Sequence, residues 1–226
     1  MENKDRAARI ILTYEDVSLV ELFAANIHQI APRAEELIAL LDAERQARVR
    51  AFGDSRSALL TLAAGLLLYA IFGEQTRSSR FERGRRGKPH LVDHTPFNIT
   101  HAGDYAVLAL SAQPVGVDLE RFRPIDWQRI AERFFHPLER AYLSRSAEPE
   151  RDFFRIWTLK ESYLKAEGTG FSVSPASFAV LPEAEHAAAF QGETDYRFTR
   201  IAAFPDYCLS VCSLEDVAAN VQLKEF

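Results

Sequence analysis

The chain has 226 residues, of which 47% are apolar and 26% charged, with a formal net charge of −5. That length supports one large domain or two small ones with a real core, and the acidic balance argues against general nucleic-acid binding. No apolar run approaches the ~18 residues of a membrane span, and no apolar leader follows the polar start Met1 to Arg6, so a cytoplasmic protein with no membrane partner is expected.

In chain order, Arg9 to Tyr14 reads as a strand. Arg33 to Val49 and Ser55 to Ile71 carry the apolar period of helices, and Gly73 fits a C-terminal cap. The polar, arginine-rich stretch from Ser78 to Pro89 predicts a loop. Phe97–Thr100 and Tyr105–Ser111 read as strands joined at His101-Ala102-Gly103-Asp104, and Pro114 punctuates before a strand at Gly116–Glu120. Helices are expected near 126–134 and 137–144 and over 151–167, with strands near 178–181, 197–202 and 207–213. Cys208 and Cys212 lie four apart in the last of these, too far for a disulfide within one strand, and read as buried thiols. Each half runs strand, helices, strands. The expected fold is α+β, two similar halves spanning 1–113 and 114–226, with a site in the cleft between them.

Three segments carry chemistry. In Gly116-Val117-Asp118-Leu119-Glu120, strand alternation puts Asp118 and Glu120 on one face. Two such carboxylates suit a hard cation such as Mg²⁺, and equally suit a solvated face paired with Arg121 or Arg123. In the helix that follows, Phe153, Ile156, Trp157 and Leu164 form an apolar stripe with Lys160 inside it, and Glu161 and Lys165 lie at its edge. An ammonium in that stripe needs an anion or must snorkel out, while Glu161 and Lys165 also fit a simple i,i+4 surface pair. Gly87-Lys88-Pro89 and Asn98-Ile99-Thr100-His101-Ala102-Gly103 could hold a phosphate by side-chain and backbone donors, or form an ordinary turn. The chain is poor in lysine, yet Lys88, Lys160 and Lys165 all fall in these segments. It has no Walker A sequence, dinucleotide fingerprint, hydrolase elbow or zinc spacing.

The ordered set Gly87-Lys88-Pro89, Phe97-Asn98-Ile99-Thr100-His101, Gly116-Val117-Asp118-Leu119-Glu120 and Trp157-x-x-Lys160-Glu161-x-x-x-Lys165-x-x-Gly168 resembles the surfactin-type 4′-phosphopantetheinyl transferases. Arg133-Phe134-Phe135 and Gly170-Phe171-Ser172 extend the likeness, which runs from about Glu44 to Leu181. The resemblance implies a monomer of two similar halves with coenzyme A and metal in the cleft. Asp118, Glu120 and Glu161 then match metal carboxylates, with Mg²⁺ as the ion and Mn²⁺ as a substitute. Lys160 and Lys165 match contacts to the pyrophosphate of coenzyme A. Lys88 with the adjoining Pro89, Thr100 and His101 match contacts to the nucleotide and its 3′-phosphate. Arg56 matches an N-terminal coenzyme A arginine, with Arg45 and Arg48 as weaker matches. Thr100 stands where the family has serine, and His136-Pro137-Leu138 is a local variant that leaves Glu139 structural or partner-facing.

The activity so implied is transfer of 4′-phosphopantetheine from coenzyme A to a serine of an apo acyl, peptidyl or polyketide carrier protein, with release of adenosine 3′,5′-bisphosphate. Asp118, Glu161 and Lys165 are the expected catalytic residues, Glu161 as the base. Phe134, Phe135 and nearby arginines are candidates for carrier docking or for core. The rival readings are a non-catalytic module that binds coenzyme A or a carrier, and a Mg²⁺-dependent phosphohydrolase.

Overall fold

The computed structural model describes residues 19–53, 55–77, 81–83, 89–91, 95–183 and 188–226. The strand expected at Arg9–Tyr14 and the side chain of Lys88 lie outside them. The first described strand, β1 (Val20–Asn26), is apolar on both faces because it separates two cores: Phe23 and Ala25 enter one, Leu22 and Ala24 the other. Asn26 caps α1 (Ile27–Ile30) by accepting from the His28 amide. The periodicity over Arg33–Val49 predicts one helix, but two form, α2 (Ala34–Ile38) and α3 (Ala43–Ala51). The break comes at Asp42, whose carboxylate accepts from the Arg45 amide and starts a new helix. Next, α4 (Arg56–Phe72) is capped by Ser55 and stopped by Gly73 at φ +59°. It has no charged residue after Arg56 and fills the first core.

Within the expected loop, β2 (Phe81–Arg83) and β3 (Pro89–Leu91) pair antiparallel. The hairpin β4 (Phe97–Ala102) and β5 (Tyr105–Leu110) then lays β5 against β1, giving the order β1-β5-β4. The second half repeats this plan. It runs β6 (Val115–Arg121), α5 (Trp127–Phe134), α6 (Pro137–Leu143), α7 (Pro149–Glu167), the short pair β7 (Ala179–Pro182) and β8 (Ala188–Gln191), and the hairpin β9 (Arg197–Ile201) and β10 (Tyr207–Ser213). Here β10 pairs with β6, giving β6-β10-β9. Val107, Ala109 and Leu22 of one sheet meet Val117, Leu119, Leu209 and Val211 of the other. Helix α4 covers the outer face of the first sheet and α7 that of the second. The architecture is α+β.

The division after residue 113 falls between β5 and β6, but the last strand departs from it. β11 (Val217–Leu223) returns to the first half and pairs parallel with β1, so the first sheet reads β11-β1-β5-β4. Cys208 and Cys212 are buried free thiols on β10. Among the described residues no helix is long and apolar enough to cross a membrane.

Candidate active site

The site forms where β6, α7 and the edge strand β4 meet. Alternation along β6 sends Val117 and Leu119 into the core between the sheets and turns Asp118 and Glu120 toward α7. Helix α7 comes unusually close at Gly116. A Cβ there would lie 1.9 Å from the Ser162 carbonyl oxygen and 2.4 Å from the Ala166 amide nitrogen, so only glycine lets the helix seat. That seating brings Glu161 and Lys165, one turn apart on α7, over the carboxylates of β6.

Lys165 is the hub. Its ammonium donates to Asp118 Oδ1 at 2.6 Å, to the Val117 carbonyl at 3.1 Å and to Thr100 Oγ1 at 3.3 Å. Thr100 also donates to Asp118 Oδ1 at 3.4 Å. The threonine found where the family has serine therefore keeps its hydroxyl in use. Burial raises the pKa of Asp118 above the usual aspartate range, against the opposing pull of Lys165. Burial, and then the charge of Asp118, push Glu161 up to about 7, with Glu120 adding to the effect and Lys165 opposing it. His101 is held below its ordinary value by burial and by the Lys165 charge. Glu120 accepts from Arg123 at 2.7 Å, so of the two arginines offered by the sequence Arg123 is its partner.

The donor set fits a hard divalent cation. Asp118 Oδ2 is buried without a hydrogen-bond partner, and Glu161, raised first by burial and then by the Asp118 charge, lies near it. The three acids do not already form a closed cage: among the described residues no three acidic, histidine or cysteine side chains are gathered at ligand spacing. Lys165 holds Asp118 and Arg123 holds Glu120 in that arrangement.

One expectation needs correction. Lys160 does not face the site. It is 2% exposed, and its ammonium donates to both oxygens of Glu139 at 2.6 and 2.8 Å and to the Phe178 carbonyl at 2.7 Å. All its donors are engaged, leaving none for a pyrophosphate. Glu139 is correspondingly structural: it also accepts from the amides of His136 and Val180, tying α6 to α7 and β7. Of the two readings left open for Phe135, carrier docking or core, the structure has core: it stacks on Phe153 with 1% exposure.

The N-terminal candidates have partners of their own in this structure. Arg56 forms an ion pair with Asp104, on the turn after β4. His28 and Arg121 approach the same carboxylate at 3.4 and 3.6 Å, and Tyr207 donates to it at 3.3 Å. Arg45 pairs with Asp42, and Arg48 is exposed on α3. Pro89 opens β3, paired with Arg83. The reading of the sequence passed over Asn98 and Asp104. For Asn98 a signal existed, since it lies two residues from Thr100 on the same side of β4.

Residues 114–212 match the model of the 4′-phosphopantetheinyl transferase superfamily. The chain is similar to the 4′-phosphopantetheinyl transferase ffp of Bacillus subtilis, at 32% identity over 76% of this chain and 87% of that protein. It is similar to the transferase Sfp of Bacillus subtilis strain 168 at 29% identity, with the same two coverages. The transferase gsp of Aneurinibacillus migulanus matches at 32% identity, over 74% of this chain and 72% of that one. With a helix and strand that converge Asp118, Glu161 and Lys165 on one point, and relatives of this identity over most of its length, the chain belongs to the 4′-phosphopantetheinyl transferase superfamily.

Proposed function

We propose that this enzyme transfers 4′-phosphopantetheine from coenzyme A to a serine hydroxyl of an apo carrier protein. The serine oxygen bonds to the β-phosphorus of coenzyme A, the bond from that phosphorus to the bridging oxygen breaks, and adenosine 3′,5′-bisphosphate leaves. The observation that carries the reading is the convergence of Asp118, Glu161 and Lys165 at the junction of β6 and α7. Glu161 lies in this cluster as the carboxylate to take up the serine proton. Lys165, tethered by Asp118 and Thr100, presents a fixed positive charge to the phosphates. Asp118, Glu120 and Glu161 would hold Mg²⁺, or Mn²⁺ in its place, which supplies charge neutralisation for the pyrophosphate. Thr100 and His101 on β4 contact the nucleotide side, with Lys88 and Arg56; Arg56 then exchanges Asp104 for a substrate phosphate.

Both halves lie in one chain, which supports a monomer. The carrier lands beside α5 and α6. There an open cavity of about 380 Å³ is lined by Trp127, Leu143, Arg140 and Glu132, next to the exposed Leu138. Its apolar floor with a polar rim has the make-up of a protein-docking surface.

The test is the intact mass of apo carrier proteins of fatty-acid, polyketide and peptide type after incubation with enzyme, coenzyme A and Mg²⁺. A gain equal to one phosphopantetheine arm, lost with EDTA, is expected. Coenzyme A binding without any mass gain would instead indicate a binding module, and release of inorganic phosphate a phosphohydrolase.

A further inference from the structure

Val117 precedes Asp118 at the outer edge of the second sheet, and its backbone needs partners there. In the first sheet the equivalent edge, that of β1, is covered by β11. Among the described residues no strand joins the ladder at the outer edge of β6, although β4 packs alongside it. Val117 is fully buried, so its amide cannot turn to water. It donates to Asn98 Oδ1 at 2.8 Å, while its carbonyl accepts from Lys165 at 3.1 Å. Two side chains, one from β4 and one from α7, thus take the bonds that a neighbouring strand would make. Asn98 and Thr100 share one side of β4, so the bond to Val117 and the bond to Asp118 are successive steps across one seam. Asn98 itself touches neither Asp118 nor Lys165 through any bond seen in the structure.

We infer that Asn98 is a positioning residue for the transfer reaction. Its side-chain oxygen stands in for a ladder strand at the edge of β6 and fixes Asp118 and Lys165 against Thr100. Without that acceptor the Val117 amide is left buried and unpaired, and the edge of β6 moves to relieve it. Asp118 sits on the next residue, and α7 rests on Gly116 one residue before, so both halves of the carboxylate cluster shift together.

The inference rests on the transferase reading, and its test separates the two. Asn98→Leu keeps the branched shape, with somewhat more bulk, and removes the acceptor; Asn98→Asp keeps an oxygen in the same place. Carrier modification is followed by intact mass, with Mg²⁺ and coenzyme A varied separately, and the folded fraction is measured by thermal melting. Asn98→Leu is expected to lower kcat about tenfold or more and to raise the Mg²⁺ needed for half-activation, with KM for coenzyme A within about twofold of wild type. Asn98→Asp is expected to regain part of kcat. Wild-type kcat and Mg²⁺ dependence in Asn98→Leu would overturn the inference. So would a loss that follows only the folded fraction, or failure of both variants to fold, since either makes Asn98 a purely structural bolt. A wild-type enzyme that modifies no carrier defeats the transferase reading itself, and this inference with it.

Discussion

Helices α4 and α7 occupy equivalent places, one on β1-β5-β4 and the other on β6-β10-β9, yet they share almost no chemistry. After Arg56, α4 carries no charge and serves only to fill a core. Helix α7 buries Lys160 against Glu139 on one side and extends Glu161 and Lys165 over Asp118 on another. The sheet edges differ in the same way. The edge of β1 is sealed by a strand, whereas that of β6 is closed by Asn98 and Lys165. In the duplicated plan the carboxylates come from the second half, and β4 of the first half, through Asn98 and Thr100, closes the edge where the copy lacks its sealing strand.

The sharpest way to break this contrast is to remove the charges that distinguish α7 and β6. Asp118→Ala and Glu161→Ala are each expected to lower the transfer rate by about a thousandfold or more while retaining the native circular dichroism spectrum. Near-wild-type turnover in either would return those residues to the status of surface acids. Lys160 offers the next largest effect. Lys160→Met should cost about 3–5 kcal/mol in denaturant unfolding, because it strands the buried Glu139. Glu139→Gln combined with Lys160→Met should recover much of that loss and retain transfer per folded molecule. A double variant that is stable but inactive would show that Lys160 acts on substrate after all.

The two helix seats can be compared directly through their glycines. Gly116→Ala would drive a methyl into the backbone of α7 and should cost about 2–3 kcal/mol and much of the activity. At Gly65 in α4 the nearest atoms are the flexible tip of Leu41, at 2.9 and 3.0 Å. Gly65→Ala should therefore stay within about 1 kcal/mol of wild type in thermal unfolding, helped by the better helix propensity of alanine. Equal costs at the two positions would erase the distinction. The smallest effect is at His101. Its folded pKa lies below the ordinary 6.5, because burial and Lys165 disfavour the charged ring. Its contribution to stability is present above that ordinary value and is lost as pH falls through the folded one. His101→Gln should lose less stability than wild type between neutral and mildly acid pH, and NMR titration of His101 should give a midpoint below that of a free imidazole.

The legible parts of this chain were those with one buried face. β6 alternates because Val117 and Leu119 enter the core while Asp118 and Glu120 do not, and α7 shows a clear stripe. β1 was silent because Leu22 and Phe23 are buried on opposite faces, which removes the period-two signal. Among site residues, Asp118 and Lys165 could be read together only through the ordered motifs, since 47 residues separate them. Lys160 shows what periodicity can and cannot decide. Its place in an apolar stripe called for an anion or for snorkelling to water; the structure has the anion, and it is Glu139 on another helix, 21 residues away. Nothing local marks such a pairing, and nothing local marks β11 as the partner of β1.

The return of β11 also bears on the order in which the molecule can be made. The N-terminal sheet has its hairpin once Leu110 has emerged, but the outer edge of β1 stays open until Val217–Leu223 has been synthesised. For about half of translation a strand buried on both faces in the finished protein waits with one edge bare, a configuration prone to pairing with another chain. The first sheet to begin is thus the last to be completed, and a ribosome that stalls late would leave the segments of the carboxylate cluster made and the first sheet unsealed.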